Sequence, residues 1–192
     1  MKENQRITVT KRMLKEGLLR LLEVKPLDKI RVSELCGESG INRATFYRHY
    51  QTPQDVLLEL ELDMMKQIAS SSKFPNNLAE AQKHLENACT YIYEHSDIAR
   101  ILFRCNADED MMRGLNGIFR YFWELRKEEP QFAHMDEDTA RIIAALLGGG
   151  CYCLLRQWIL EDIKKTPQEI AAIISNVIRW PASADFLMAG AQ

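Results

Sequence analysis

Along most of the chain, apolar residues recur at three- and four-residue spacings, which gathers them on one face of each of a series of helices. Leu14, Gly17, Leu18, Leu21 and Leu22 predict an amphipathic helix from Thr8 or Thr10 to Val24, ended by Pro26 and the segment 27–31. Leu35, Cys36 and Ser39 predict a short helix over about Val32–Ser39. Gly40 closes it, because glycine accepts the left-handed conformation that ends a helix. Asn42 is a good N-cap for a second helix starting at Arg43, with Ile41 plugging the corner between the two.

Thr52-Pro53-Gln54-Asp55 is another start: an N-cap, proline at the first helical position and an acid three residues after the cap. Val56, Leu57, Leu60, Met64 and Ile68 carry that helix to about Ala69. The serine- and asparagine-rich run 70–77 reads as a loop. Further stripes follow at Leu78–Ile92, at Ile98–Phe103 after a break at Ser96-Asp97, and at Met111–Leu125. Asp136 and Asp138 make an acidic start for a segment running to about Asp162. Thr166-Pro167 opens a last helix bearing Ile170, Ile173, Ile174, Val177 and Ile178, closed by Pro181. The tail 182–192 is assigned no element. The fold class is all-α.

Within the Asp136–Asp162 segment, Ile142 to Leu155 holds no charge. A membrane span needs about 20 apolar residues, so this shorter run predicts a helix buried on more than one side. Gly148, Gly149 and Gly150 interrupt it, at about 1 kcal/mol each relative to alanine. Close approach of another helix or a ligand would offset that loss.

Composition changes the picture in one respect. Hydrophobic residues make up 46% of 192, enough for a large core, and the net charge of −2 is unremarkable. Yet residues 1–50 carry eleven Lys and Arg against six Asp and Glu, a net +5, which leaves −7 for the rest. A basic head on an acidic body suits a DNA-binding domain joined to a domain that does not touch DNA. No basic stretch followed by an apolar run opens the chain, and five cysteines lack a disulfide spacing, so a reducing cytoplasm is expected.

The candidate chemistry lies in Val32–Tyr50. On the second helix Arg43, Ala44, Tyr47 and Arg48 share one face, while Phe46, His49 and Tyr50 lean to the other. Arginine pairs bidentately with guanine, an alanine methyl suits thymine, and the Thr45 and Tyr47 hydroxyls suit phosphates. Periodicity alone is equally served by a helical hairpin with a solvated basic face. These residues, with Ile-x-Val-Ser-Glu-Leu, Gly40-Ile41-Asn42 and Arg43 through Tyr50 in order, resemble the TetR family of bacterial transcription regulators over about 50 residues.

The resemblance implies a three-helix helix-turn-helix DNA-binding domain over 1–50. It also implies a helical effector-binding and dimerising domain over 51–192, reached through a linking helix at about 52–69. By it, Arg43, Ala44 and Tyr47 meet bases, and Thr45 and His49 meet phosphate. Many members carry a lysine where this chain has Pro53, which leaves that phosphate contact without its cation. Thr8, Thr10 and Lys11 at the start of the first helix, with Arg31 and Ser33, are further candidates for the DNA backbone.

In that family the last two long helices form a four-helix dimer interface, which here points to Ile170, Ile173, Ile174, Val177 and Ile178. A homodimer would set two recognition helices about 34–36 Å apart over a near-palindromic operator in double-stranded DNA. Tyr93, Phe103, Met112, Phe119, Phe122, Trp123, Tyr152 and Trp158 are candidate walls for an unknown small-molecule effector, and equally candidates for plain core.

The four histidines lack ligand spacing, Cys151 and Cys153 point about 200° apart on a helix, and no nucleophile elbow, phosphate loop or zinc-protease motif occurs. No metal, cofactor or catalytic residue is therefore expected. The function predicted is a sequence-specific DNA-binding regulator, a repressor released by its effector. The rivals are a ligand-binding or protein-interaction module with a vestigial helix-turn-helix, and a small-molecule enzyme.

Overall fold

A computed structural model describes residues 2–70, 78–105, 112, 115–117, 119–121, 123–124, 127–129 and 135–179; of 2–5, 69–70, 78 and 178–179 it describes the backbone alone. All regular structure among the described residues is helical. The helices are α1 (Lys2–Val24), a 3₁₀ turn (Leu27–Lys29), α2 (Val32–Ser39), α3 (Arg43–Phe46), α4 (Pro53–Ser70), α5 (Leu78–Glu94) and α6 (Ser96–Arg104). The described helical residues 112, 115–117, 119–121 and 123–124 are labelled α7. Next come α8 (Glu137–Leu160) and α9 (Pro167–Arg179). Ser70, predicted to open the loop 70–77, ends α4, and the rest of that loop, the turn at 105–110 beyond Cys105 and the tail from 180 lie outside the described residues.

The chain divides into two compact units, one of residues 1–66 with 101–107 and one of residues 67–100 with 108–192. The first boundary thus falls inside α4 rather than at Tyr50. The physical reason is burial: Val56, Leu57, Leu60 and Met64 of α4 are interior residues, as are Leu14, Leu18, Ile30, Leu35, Phe46 and Tyr50 of the head. Ile101, Leu102 and Phe103, also buried, belong to this unit.

In the head α1 packs on α2, and α2 meets α3. Gly17 allows the first crossing, since a Cβ there would stand 3.0 Å from the Ser39 Cβ and 3.2 Å from its backbone nitrogen. α1 begins at Lys2, earlier than the apolar stripe indicates, because Lys2 to Arg6 are polar but competent helix formers. Thr8, Thr10 and Lys11 are therefore inside the helix and not at its N-terminus. The expectation that they offer free amides and the positive end of the dipole to a phosphate is overturned.

In the body α5 packs along α9, and α8 also meets α9. Asp136 caps α8 by accepting the Thr139 N–H at 2.7 Å. A left-handed Asp162 (φ 53°) ends it, with the Ile163 N–H reaching the Trp158 carbonyl at 3.2 Å. α9 opens with a reciprocal cap, Thr166 N–H to Glu169 Oε2 at 2.8 Å and Glu169 N–H to Thr166 Oγ1 at 3.2 Å. By length and composition α8 is long and apolar enough to cross a membrane, which corrects the argument from the shorter charge-free run. One side of it, Ala140, Ala144, Gly148, Cys151, Tyr152, Leu155, Trp158 and Ile159, is buried in the protein, as in a core helix.

The three glycines of α8 have different settings. A Cβ on Gly148 would overlap the Asn116 side chain, Gly149 lies against the Met112 methyl, and Gly150 faces open space. Only Gly148 thus meets the expected close approach. Asn116 Oδ1 is buried there and accepts no hydrogen bond.

Candidate nucleic-acid interface

The bend between α2 and α3 follows from its residues. Gly40 takes the left-handed conformation, φ 68° and ψ 19°, and the Ile41 N–H returns to the Cys36 carbonyl at 3.0 Å. Asn42 then caps α3, its Oδ1 accepting the Ala44 N–H at 2.8 Å. At the start of α2 the Glu34 carboxylate accepts the Arg31 N–H at 2.9 Å and the Lys25 ammonium at 2.6 Å, which holds it below the usual carboxylate range.

The regular helix of the recognition element is shorter than the run from Arg43 to Tyr50. One regular turn, Arg43–Phe46, gives way to tighter bonds, Arg48 N–H to Thr45 carbonyl at 3.3 Å and His49 N–H to Phe46 carbonyl at 2.9 Å. The sorting of side chains survives this. Phe46 is fully buried and Tyr50 is 5% exposed, whereas Tyr47 is 60% exposed and Arg43, Ala44 and Arg48 are exposed. Thr45 and His49 are half-buried at its flanks. Tyr47 is steadied edge-on against Phe46, ring centroids 5.4 Å apart at 84°. The result is a face with two guanidinium groups, a methyl and a phenol, anchored from behind by two buried aromatics.

Arg31 and Ser33 are exposed beside this motif. Lys11 is not available in the way expected, because its ammonium donates to Glu59 Oε2 at 2.8 Å and stands 5.5 Å from the Tyr50 ring centre. The same carboxylate takes Lys15 on Oε1 at 2.9 Å and the Tyr50 hydroxyl on Oε2 at 2.8 Å. Lys15 also donates to Asp63. Burial disfavours the Glu59 charge, but the Lys11, Lys15 and Tyr50 hydrogen bonds outweigh it and hold the carboxyl at about 2. Burial and the bonded carboxylate both drive the Tyr50 phenol upward. Part of the head's positive charge is thus neutralised internally. This network was missed in the sequence, although its signal was there: Lys11 and Lys15 on α1 match Glu59 and Asp63 on α4, each pair four residues apart.

Pro53 opens α4 behind the Thr52 cap, whose N–H donates to Asp55 Oδ2 at 2.8 Å. Proline suits this first turn, so the residue that displaces the lysine of the resembling family strengthens the helix start.

Comparison with known proteins bears on the whole of this arrangement. A family model described as the C-terminal region of transcriptional regulators, of TetR type, matches residues 79–179, more than half of the chain. The chain belongs to the TetR family. It is a DNA-binding transcriptional regulator, and the all-α fold is that of the family. Among solved structures it is similar to a TetR transcriptional regulator from Streptococcus agalactiae 2603V at 19% identity and TM-score 0.67, covering 93% of this chain and 98% of that one. It is also similar to the dihydroxyacetone kinase operon activator DhaS at 14% identity and TM-score 0.64, covering 90% and 96%. No curated protein sequence matches it.

The TetR-type body does not gather all the aromatics proposed as pocket walls. Tyr93 is 54% exposed and stacks on Trp158 at 5.6 Å, so it lies on the surface. Phe103 belongs to the head's compact unit. Trp158 is 2% exposed, and its indole N–H donates to the Lys165 carbonyl at 3.0 Å. Phe119 and Tyr152 are buried, Met112 and Trp123 half-buried, and Phe122 lies outside the described residues.

The final stripe also divides. Ile170 and Ile174 are 3% and 2% exposed within their own chain and so cannot form a dimer surface, since α9 turns that side to its own neighbours. Ile173 and Val177 face outward, and the Ile178 side chain lies outside the described residues. Exposed Ile142 and Leu146 on α8 were not predicted as interface residues. Cys151 is buried and Cys153 exposed, as their separation on a helix requires. Burial pushes the Cys151 and Cys89 thiols up to about 11 and about 12, with Cys151 and Glu86 adding to the shift at Cys89. Among the described residues no group of His, Cys, Asp and Glu could hold a metal ion.

Proposed function

We propose that the chain acts as a cytoplasmic homodimer that reads a near-palindromic operator through the face of Arg43, Ala44, Tyr47 and Arg48, with Thr45 and His49 on phosphates. Its affinity for that operator is set by a small molecule bound in the body. The observation that carries this reading is the division of the recognition element into buried Phe46 and Tyr50 and outward Arg43, Ala44, Tyr47 and Arg48. A solvated hairpin has no need of an exposed tyrosine between two arginines.

The dimer is supported by apolar side chains left in solvent on the last two helices: Ile142 and Leu146 at 70% and 68% exposure, Ile173 and Val177 at 41% and 45%. Two such surfaces meeting about a two-fold axis would remove them from water. An effector bound more tightly by one arrangement of the two heads than by another shifts DNA affinity by a coupling of about 1–3 kcal/mol. Release from the operator on effector binding makes the protein a repressor. The name of one similar structure, an operon activator, raises the opposite sign of regulation, which a reporter placed behind the operator would decide.

The test is selection of duplexes from a random pool by the purified full chain. Enrichment of a two-fold symmetric site supports the reading. A pool that stays random after repeated rounds, with weak and salt-driven binding throughout, would return the chain to the class of modules with a vestigial head.

A further inference from the structure

The recognition element is one helical turn followed by a tightened turn, too short to fix its own direction. Its orientation therefore depends on what its ends are tied to. At the C-terminal end that tie is Tyr50. Its N–H donates to the Phe46 carbonyl at 3.0 Å and its ring lies 6.0 Å from the Phe46 ring, which in turn supports Tyr47. Its hydroxyl reaches Glu59 on α4, and Glu59 is held from its other sides by Lys11 and Lys15 of α1.

Two features separate this from a surface ion pair. A single carboxylate collects three donors from two other elements of the head. Tyr50 is 5% exposed, so whatever its hydroxyl does for DNA it does through position and not by touching a phosphate.

We propose that Glu59 is a positioning residue for DNA recognition: through the Tyr50 hydroxyl it locks the recognition turn to α4 and α1, so that Arg43, Ala44 and Tyr47 meet base edges at one angle. This rests on the reading of that face as the DNA-reading surface. Base readout depends on that angle, because bidentate bonds are directional. Non-specific binding depends on charge and does not. The lock therefore acts on specificity.

The experiment measures binding of wild type, Tyr50→Phe, Glu59→Gln, the double variant and Arg43→Ala to the selected duplex and to a scrambled duplex. Each is measured at a temperature where circular dichroism shows the protein fully folded. Tyr50→Phe is expected to bind the selected duplex about tenfold more weakly and the scrambled duplex as well as wild type. The double variant is expected to lose no more than Glu59→Gln alone, since both remove one shared bond. A merely stabilising network would leave the selected-to-scrambled ratio unchanged in folded protein, and that result overturns the proposal, as do additive losses. Tyr50→Phe keeps its ring and deletes one oxygen, so it carries the test if Glu59→Gln does not fold. Unchanged affinity in Arg43→Ala would place the failure in the assignment of the face, and the proposal would fall with it.

Discussion

In the head, the polar groups drawn out of solvent are answered from within: Glu59 takes three donors, Ser39 Oγ donates to the Leu35 carbonyl at 2.6 Å, and Asn42 caps the recognition turn. In the body, Asn116 Oδ1 is buried against Gly148 with no donor, and α8 and α9 keep isoleucine, leucine and valine in water. The difference follows from what each unit is for. The head presents a fixed surface and gains from answering its buried polar groups internally, although it too leaves Val9, Val24, Leu58 and Leu62 exposed. The body, as proposed, completes itself with a second copy and a ligand.

The largest expected effect divides the last helix by its two sides. Ile174→Asp places an unpaired charge among buried side chains and should destabilise the body by about 3 kcal/mol or more. Val177→Asp, on the exposed side, should fold with nearly the wild-type melting temperature yet sediment as a monomer. If Val177→Asp and Leu146→Asp both stay dimeric, the interface is not on these faces.

A second test concerns the head's self-sufficiency. Glu59 is held at about 2 when folded against an ordinary 4.5, so the folded state binds its proton less readily than the unfolded state. Its contribution is fully present above about pH 4.5 and fades as pH falls toward 2. Wild type should therefore lose stability relative to Glu59→Gln over that window, at up to about 1.4 kcal/mol per pH unit. Parallel stability curves for the two proteins would show that the carboxylate gains nothing from its three donors.

Much of the head was legible because its residues act locally. Gly40, Asn42, Thr52 and Asp55 each do what glycine, cap and capping-box chemistry dictate within four residues, and the outward face of α3 follows from helical spacing. What escaped was non-local. Lys11 looked like a free cation until α4 brought Glu59 to it, and α1 began six residues before its first apolar contact would suggest. In the body the stripe of α9 gave a helix but not its orientation. Ile170 and Ile173 are alike in type, and only packing sorts one inward and the other outward. Aromatic residues there could not be divided into pocket and core, because burial serves both.

The smallest expected effect is at Asn116. Replacing a half-buried side chain whose buried oxygen is unsatisfied by one of similar shape without polar atoms removes a desolvation penalty, so Asn116→Leu should raise the body's stability by about 1 kcal/mol. A fall in the melting temperature would instead mean that Oδ1 has a partner in solution, such as an ordered water.

The account stands most directly on the face of the recognition element, and fluorescence anisotropy on the selected duplex at two salt concentrations tests it. Arg43→Ala and Tyr47→Ala should each weaken binding by about 1–3 kcal/mol while leaving the melting temperature and the scrambled-duplex affinity of Tyr47→Ala unchanged. Wild-type affinity for the selected duplex in both variants would contradict the account, because a head that reads DNA without these side chains must use another surface.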